Sequence, residues 1–367
     1  RCMSWWEPEK TPPRPLPKGL DPPLHSLFSG PHGQAHWSDD YPDCGGQAQS
    51  PIDIQTKSVQ HDPALPPIEP QGYRGPEDGA FTLLNNGHTV AMSLPPSMIL
   101  RGLPQTYAAV QLHFHWGSRG QAGGSEHQVN GEAFPAELHI VHYNSESYAN
   151  VSEAKQQTDG LAVLGILIEV GDVANPAYDN ILNRLKNIQY AGQKVSIPPF
   201  DVHELLPGQL GHYFRYNGSL TTPPCSQNVL WTVFRQRARI SASQLKRLQG
   251  GLYATKAENS LPVPLVDNYR APQLLNQRLV FSSFPVGECI GPRRPGWGLL
   301  NICLSLLLQV PQPTLQVWPS LLRIVGLGGA HGVMFTADTQ RLWIMCKNPK
   351  TEREKTGCSL RHNDPSL

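Results

Sequence analysis

From about residue 25 to residue 284 the chain consists of short runs that alternate apolar and polar positions, or are almost wholly apolar, with turn-forming residues between them. Residues 110–116 (VQLHFHW) and 136–143 (AELHIVHY) alternate with the two-residue period of a β-strand whose faces differ. Residues 161–170 (LAVLGILIEV) and 229–234 (VLWTVF) are nearly continuous in apolar character, which predicts central strands covered on both sides. Helical spacing is confined to 180–188 and 243–248. With 36 prolines and 33 glycines breaking the chain, the prediction is a mainly β fold.

The two ends differ from this middle. Residues 1–24 carry prolines at 8, 12, 13, 15, 17, 22 and 23 and no apolar run, so they predict an extended proline-rich extension rather than a signal peptide. Residues 285–367 predict an atypical, poorly ordered tail. Within it, 296–310 (GWGLLNICLSLLLQV) stops at Pro311, short of the roughly 20 apolar residues a membrane span needs. No clear transmembrane helix is predicted, and membrane association stays open. Of the 367 residues 39% are hydrophobic, enough for one large core, and a net charge of +1 gives no support for a nucleic-acid partner. Seven cysteines cannot all pair within one chain. Asn150-Val151-Ser152 and Asn217-Gly218-Ser219 are candidate glycosylation sequons.

The sharpest local chemistry is His113-Phe114-His115. On a strand both imidazoles project to one face. His139, in the second alternating run, supplies a third nitrogen on a neighbouring strand. Three neutral imidazoles and one open position are the donor set of a catalytic zinc site. Gln111 shares a face with His113 and His115, and Glu137 shares one with His139, so each can accept the outer N–H of a ligating ring. On the residues alone, two hydrogen-bonded histidines explain H-x-H as well as a metal does.

At these residues the chain resembles the α-class carbonic anhydrases. The matching stretches are GPHGQAHW (30–37), QSPIDI (49–54), NNGH (85–88), QLHFHWG (111–117), GSEHQVNG (124–131), AELHIVHYN (136–144), GLAVLGILIEVG (160–171), YNGSLTTPPC (216–225) and VDNYRAPQLLNQR (266–278). The likeness is greatest to the extracellular, membrane-anchored branch. It implies a catalytic domain at 25–284 built on a twisted, mostly antiparallel ten-stranded sheet with short peripheral helices. It also implies zinc (Zn2+) held by His113, His115 and His139, and reversible hydration of carbon dioxide to bicarbonate and a proton by zinc-bound hydroxide. Glu126 and Thr221 are then the residues that aim the hydroxide, and Thr222 contacts bicarbonate. Val141, Val163, Leu220, Val229 and Trp231 form the apolar pocket for carbon dioxide, and His88, with Asn86 near it, shuttles the proton. Asn268 supports the metal ligands, while His127 and Tyr216 are buried structural partners.

The resemblance further implies a Cys44–Cys225 disulfide, worth about 5 kcal/mol by a disputed chain-entropy estimate, and an extracellular location. Two buried thiols are the other reading of that pair. Phe28 stands where the family carries a tyrosine and Ser26 where it carries a tryptophan, so the solvent network and the packing of that edge are expected to differ. One rival is a catalytically weak or inactive binding module, but such modules lose zinc histidines and all three are present here. Another is a structural zinc, which needs a fourth protein ligand that no nearby Cys or Asp supplies. A zinc protease is disfavoured by the lack of HExxH: His203-Glu204 runs into Leu205-Leu206-Pro207.

Overall fold

The computed structural model describes residue 28, residues 33–75 and 79–286, and the backbone of four strands between residues 323 and 362. The extension 1–24, Ser26 and the apolar run 296–310 lie outside the described residues. The chain divides into two compact units, residues 1–289 and 290–367. In the second, Arg323–Leu327, Ala330–Ala337, Gln340–Cys346 and Ser359–His362 form an antiparallel four-stranded sheet.

In the first unit the apolar runs become the middle of a thirteen-stranded sheet. Seven strands carry the argument: β1 (Phe81–Asn85), β2 (Val90–Ser93), β3 (Tyr107–Trp116), β4 (Ala136–Asn144), β5 (Leu161–Gly171), β6 (Tyr213–Gly218) and β7 (Val229–Phe234). Their spatial order is β1-β2-β3-β4-β5-β7-β6. Lys194–Ile197 continues the sheet outside β1, and Phe281–Ser282 and then Gln60–His61 continue it outside β6. That path has ten strands, mostly antiparallel; β5–β7 is one of its parallel pairings.

The helices are few and short. Ala242–Leu248 fits the predicted 243–248, and a capping box between Ser241 and Gln244 starts it. The helix predicted at 180–188 is instead Pro176–Leu182, followed by a tight turn at Leu185–Asn187. The Asn175 side chain accepts from the Ala177 amide and Pro176 occupies the first turn, so the capping signals override the apolar spacing.

The sheet's two faces are both buried, as the continuous apolar runs require. One packs Leu112, Phe114, Trp116, Leu138, Ile140 and Leu164 into the larger core, and the other gathers Val141, Val163, Tyr216 and Trp231. Each such side chain contributes about 1.5–3 kcal/mol through burial. Between β3 and β4 the register pairs His113 with His139 and His115 with Glu137, so the chemical residues fall side by side on the second face. A bulge at Val110, between Ala109 and Gln111, sets that parity. β5 places Gly165 opposite His139, and a Cβ there would lie 3.2 Å from Glu137 Oε1.

Cys44 and Cys225 form the disulfide, with a sequence separation of 181. It sits in a small cluster with Phe28, Trp37 and the edge of Tyr41. Phe28 is buried, and its ring meets Trp37 edge-on at 5.7 Å, so this aromatic position is packed.

Candidate metal centre and cleft

Strand register delivers three imidazoles to one point. His113, His115 and His139 are each buried and each offers a nitrogen within 4.8 Å of the others. Nε2 of His115 lies 3.1 Å from Nδ1 of His139. The outer nitrogens are all engaged. His113 Nδ1 donates to Gln111 Oε1 at 3.0 Å, His115 Nδ1 donates to the Asn268 carbonyl at 2.7 Å, and His139 Nε2 donates to Glu137 Oε1 at 2.7 Å. Those acceptors fix the tautomers. The inner nitrogens therefore present lone pairs to one another, an arrangement that repels itself unless a cation lies between them. Among the described residues no Cys, Asp or Glu joins this trio. The donor set fits a divalent metal with room for a ligand from solvent.

Electrostatics agree. Burial holds His113 well below the ordinary histidine range and lowers His115 to about 3, with the neighbouring imidazoles acting in the same sense. Burial also lowers His139, against the pull of Glu137. All three rings are neutral at neutral pH, as ligation requires.

Glu137 is the support beneath. Burial alone would raise its pKa, but His127 and His139 outweigh it and hold the carboxyl well below the usual range. Its Oε2 accepts from the amides of Glu126 (2.9 Å) and His127 (2.8 Å), and its Oε1 accepts from the His127 ring (2.7 Å) as well as from His139. His127 Nε2 in turn meets the Tyr216 hydroxyl at 2.7 Å, which donates to Ser50 Oγ at 2.9 Å.

Glu126 is fully buried and accepts the Arg270 amide on Oε1 at 2.9 Å. Burial, and then repulsion from Glu137, push its pKa well above the carboxyl range, opposed by that amide, the Thr221 hydroxyl and the Arg270 charge. Thr221 reaches Glu126 closely enough for that effect, although Oε2 makes no hydrogen bond of ordinary geometry among the described residues. Thr221 and Thr222 are buried in the loop that ends at Cys225. Val141, Val163, Val229 and Trp231 share one cluster, with Leu220 packed at its edge.

His88 is half-buried on the turn before β2, and burial lowers its pKa. Asn86 Oδ1 accepts the His88 amide at 2.9 Å, so Asn86 shapes the turn. Asn268 works differently from a simple side-chain support. Its carbonyl holds His115, while its side chain accepts from the Trp116 amide at 2.9 Å and donates to the His88 carbonyl at 2.9 Å. Arg270 went unassigned in the sequence because its loop has no period to read. Only the structure shows that this arginine is buried, and a buried charge implies built partners.

A mainly β sheet bearing three neutral, buried imidazoles, joined by no Cys, Asp or Glu among the described residues, defines a protein with a donor set able to hold a divalent metal. A model of eukaryotic-type carbonic anhydrases matches residues 32–284. The chain is 48% identical over 315 residues to carbonic anhydrase 12 of Homo sapiens, covering 85% of this chain and 89% of that protein. It is 43% identical over 264 residues to carbonic anhydrase 6 of Canis lupus familiaris (71% and 80%) and 38% identical over 262 residues to carbonic anhydrase 3 of Homo sapiens (70% and 97%). The chain belongs to the eukaryotic-type carbonic anhydrase family, whose general reaction is the hydration of carbon dioxide.

The depressed histidine pKa values set a pH dependence for the metal-free protein. Unfolded histidines titrate near 6.5, whereas His115 in the fold does so at about 3. Between those values the three depressed imidazoles make the unfolded chain bind more protons and outweigh the single raised carboxyl of Glu126, which acts in the opposite sense, so stability is lost as pH falls through that window. The urea midpoint of metal-free protein should fall steadily from pH about 6.5 toward 4. A midpoint indifferent to pH over that range would refute the buried neutral trio.

Proposed function

We propose that this chain catalyses the reversible conversion of carbon dioxide and water to bicarbonate and a proton with a zinc ion held by His113, His115 and His139. The observation that carries the reading is the set of three outer-bonded tautomers, which leaves three inward lone pairs and, among the described residues, no Cys, Asp or Glu grouped with them. Zinc, when bound, supplies positive charge that acidifies water to a pKa of about 7, a value taken from the enzyme class, and favours Glu126 as an anion.

The protein's own groups do the aiming. Thr221 donates a hydrogen bond from its hydroxyl to ionised Glu126, which leaves the threonine oxygen free to act only as an acceptor. That oxygen takes a hydrogen bond from the attacking hydroxide and turns its lone pair toward the substrate carbon. Val141, Val163, Leu220, Val229 and Trp231 offer an apolar wall to a substrate with no net dipole. Thr222 contacts the bicarbonate product. Gln111, Glu137 and the Asn268 carbonyl orient the rings; loss of either side-chain acceptor should cost about 10–100-fold in metal affinity or activity.

Each hydration releases one proton, and His88 carries it toward solvent. Its half-buried ring and lowered pKa make it quick to release a proton and a weaker acceptor than an exposed histidine. Phe28 brings no hydroxyl to that route.

The reaction belongs to residues 25–284. A disulfide that spans much of this unit suits an oxidising compartment, so we place the protein outside the cell or on the outer face of a membrane. Among the described residues no helix is long and apolar enough to cross a membrane. Asn150 and Asn217 are exposed acceptors for N-linked glycans.

His139→Ala should abolish carbon dioxide hydration in stopped flow and remove most bound zinc, and a chelator should do the same to the unaltered protein. Full activity without zinc would sink the ligand assignment. His88→Ala should slow turnover in weak buffer and recover with added imidazole; a rate independent of buffer concentration would rule out the shuttle. Protein secreted from eukaryotic cells should carry an oxidised Cys44–Cys225 pair and shift in mass when N-glycans are enzymatically removed. Retention in the cytosol with both thiols free would contradict the placement.

A further inference from the structure

Arg270 is buried, yet it lies in the irregular segment between Tyr253–Pro264 and Phe281, where no strand ladder fixes the backbone. Its amide is the only backbone donor that Glu126 receives on Oε1 among the described residues. The position of that amide is therefore set by side chains. Nη1 donates to Gln49 Oε1 at 2.7 Å and to the Ser50 carbonyl at 2.9 Å, and Nη2 donates to the Cys44 carbonyl at 2.9 Å. The guanidinium also lies over the Trp37 ring at 5.3 Å. Gln49 itself donates to the Cys225 carbonyl at 3.1 Å, so the clamp reaches both halves of the disulfide loop. Gln34 holds the residues on either side, accepting from the Ala271 amide and donating to the Tyr269 carbonyl, each at 2.9 Å.

We infer that Arg270 is a positioning residue for the hydration reaction: its guanidinium clamps residues 269–271 so that its own amide holds Glu126 in line with Thr221. The inference rests on the role proposed above for Glu126. Three fixed acceptors suit arginine's planar fork, and lysine's single ammonium can satisfy only part of them. A carboxylate that shifts by a fraction of an ångström misdirects Thr221, and a misplacement of about 1 Å can cost about 100-fold. The guanidinium's partners are Gln49, Ser50, Cys44 and Trp37, while Asn268, whose carbonyl holds His115, is tied separately to the Trp116 amide and the His88 carbonyl, so the loss should fall chiefly on turnover with little change in metal binding.

The test is a double-mutant cycle on the full zinc-loaded chain, with kcat and KM from stopped flow, zinc content, and thermal unfolding as the check on folding. Arg270→Gln should lower kcat about 10–100-fold with KM and zinc content nearly unchanged, and Arg270→Lys should recover part of the loss. Placed on Glu126→Gln, Arg270→Gln should cost less than about 3-fold more, because the group it positions is already disabled. Should Arg270→Gln fail to fold, Gln49→Ala removes one acceptor of the clamp and is measured against Glu126→Gln in the same way. Fully multiplicative losses, or wild-type kcat in folded Arg270→Gln, would overturn the inference while a slow Glu126→Gln keeps the parent reading. Wild-type kcat in Glu126→Gln would overturn both.

Discussion

A carboxylate with no exposure to water sits in the middle of this sheet, and four donors make it tolerable there. Glu137 takes two backbone amides on one oxygen and two imidazoles on the other. Each bond to a charged acceptor is worth about 1.5–3 kcal/mol, against a desolvation cost of several kcal/mol for the buried ion. Remove one donor and the balance tips. The same four bonds determine the tautomer of His139, the orientation of His127 and the path of residues 126–127 leading into Glu126. Geometry at the metal centre is thus inherited from the requirement to keep one anion solvated by protein.

Two different kinds of scaffold meet around the imidazole trio. β3 and β4 hold the imidazoles through a continuous ladder, which is stiff and local in register. Glu126, Thr221, Asn268 and Arg270 lie outside the named strands and depend on side-chain contacts to neighbours far away in sequence. Imidazole placement and the aiming role proposed for Glu126 and Thr221 are therefore only partly separable, because Glu137 and the Asn268 carbonyl belong to both scaffolds.

The sequence made the first scaffold readable and the second much less so. Strand alternation alone put His113 and His115 on one face and offered Gln111 and Glu137 as their partners, because side-chain direction in a strand follows from residue number. His139 was legible as the third member for the same reason. The family resemblance supplied Glu126, Thr221 and His88, which have no periodic signal. Asn268 was assigned as a support, but its contact with His115 is through a backbone carbonyl, and every residue type has one. The helix near 180 began four residues early because Asn175 and Pro176 set its start, which apolar spacing does not register. Arg270 shows the limit: its role depends on what surrounds it in space.

The extra residue in β3 also changes how the strand is read. Ala109 faces the larger core with Leu112, whereas Gln111 faces the cleft with the histidines, so odd-numbered residues exchange faces at Val110. Val110 acts as a frame change between two halves of one strand. A natural or engineered chain lacking it could not shorten quietly: either Tyr107 and Ala109 or the imidazole pair would have to turn over. Insertions and deletions in this strand are therefore read by parity, and an odd one inverts whichever half is held less firmly.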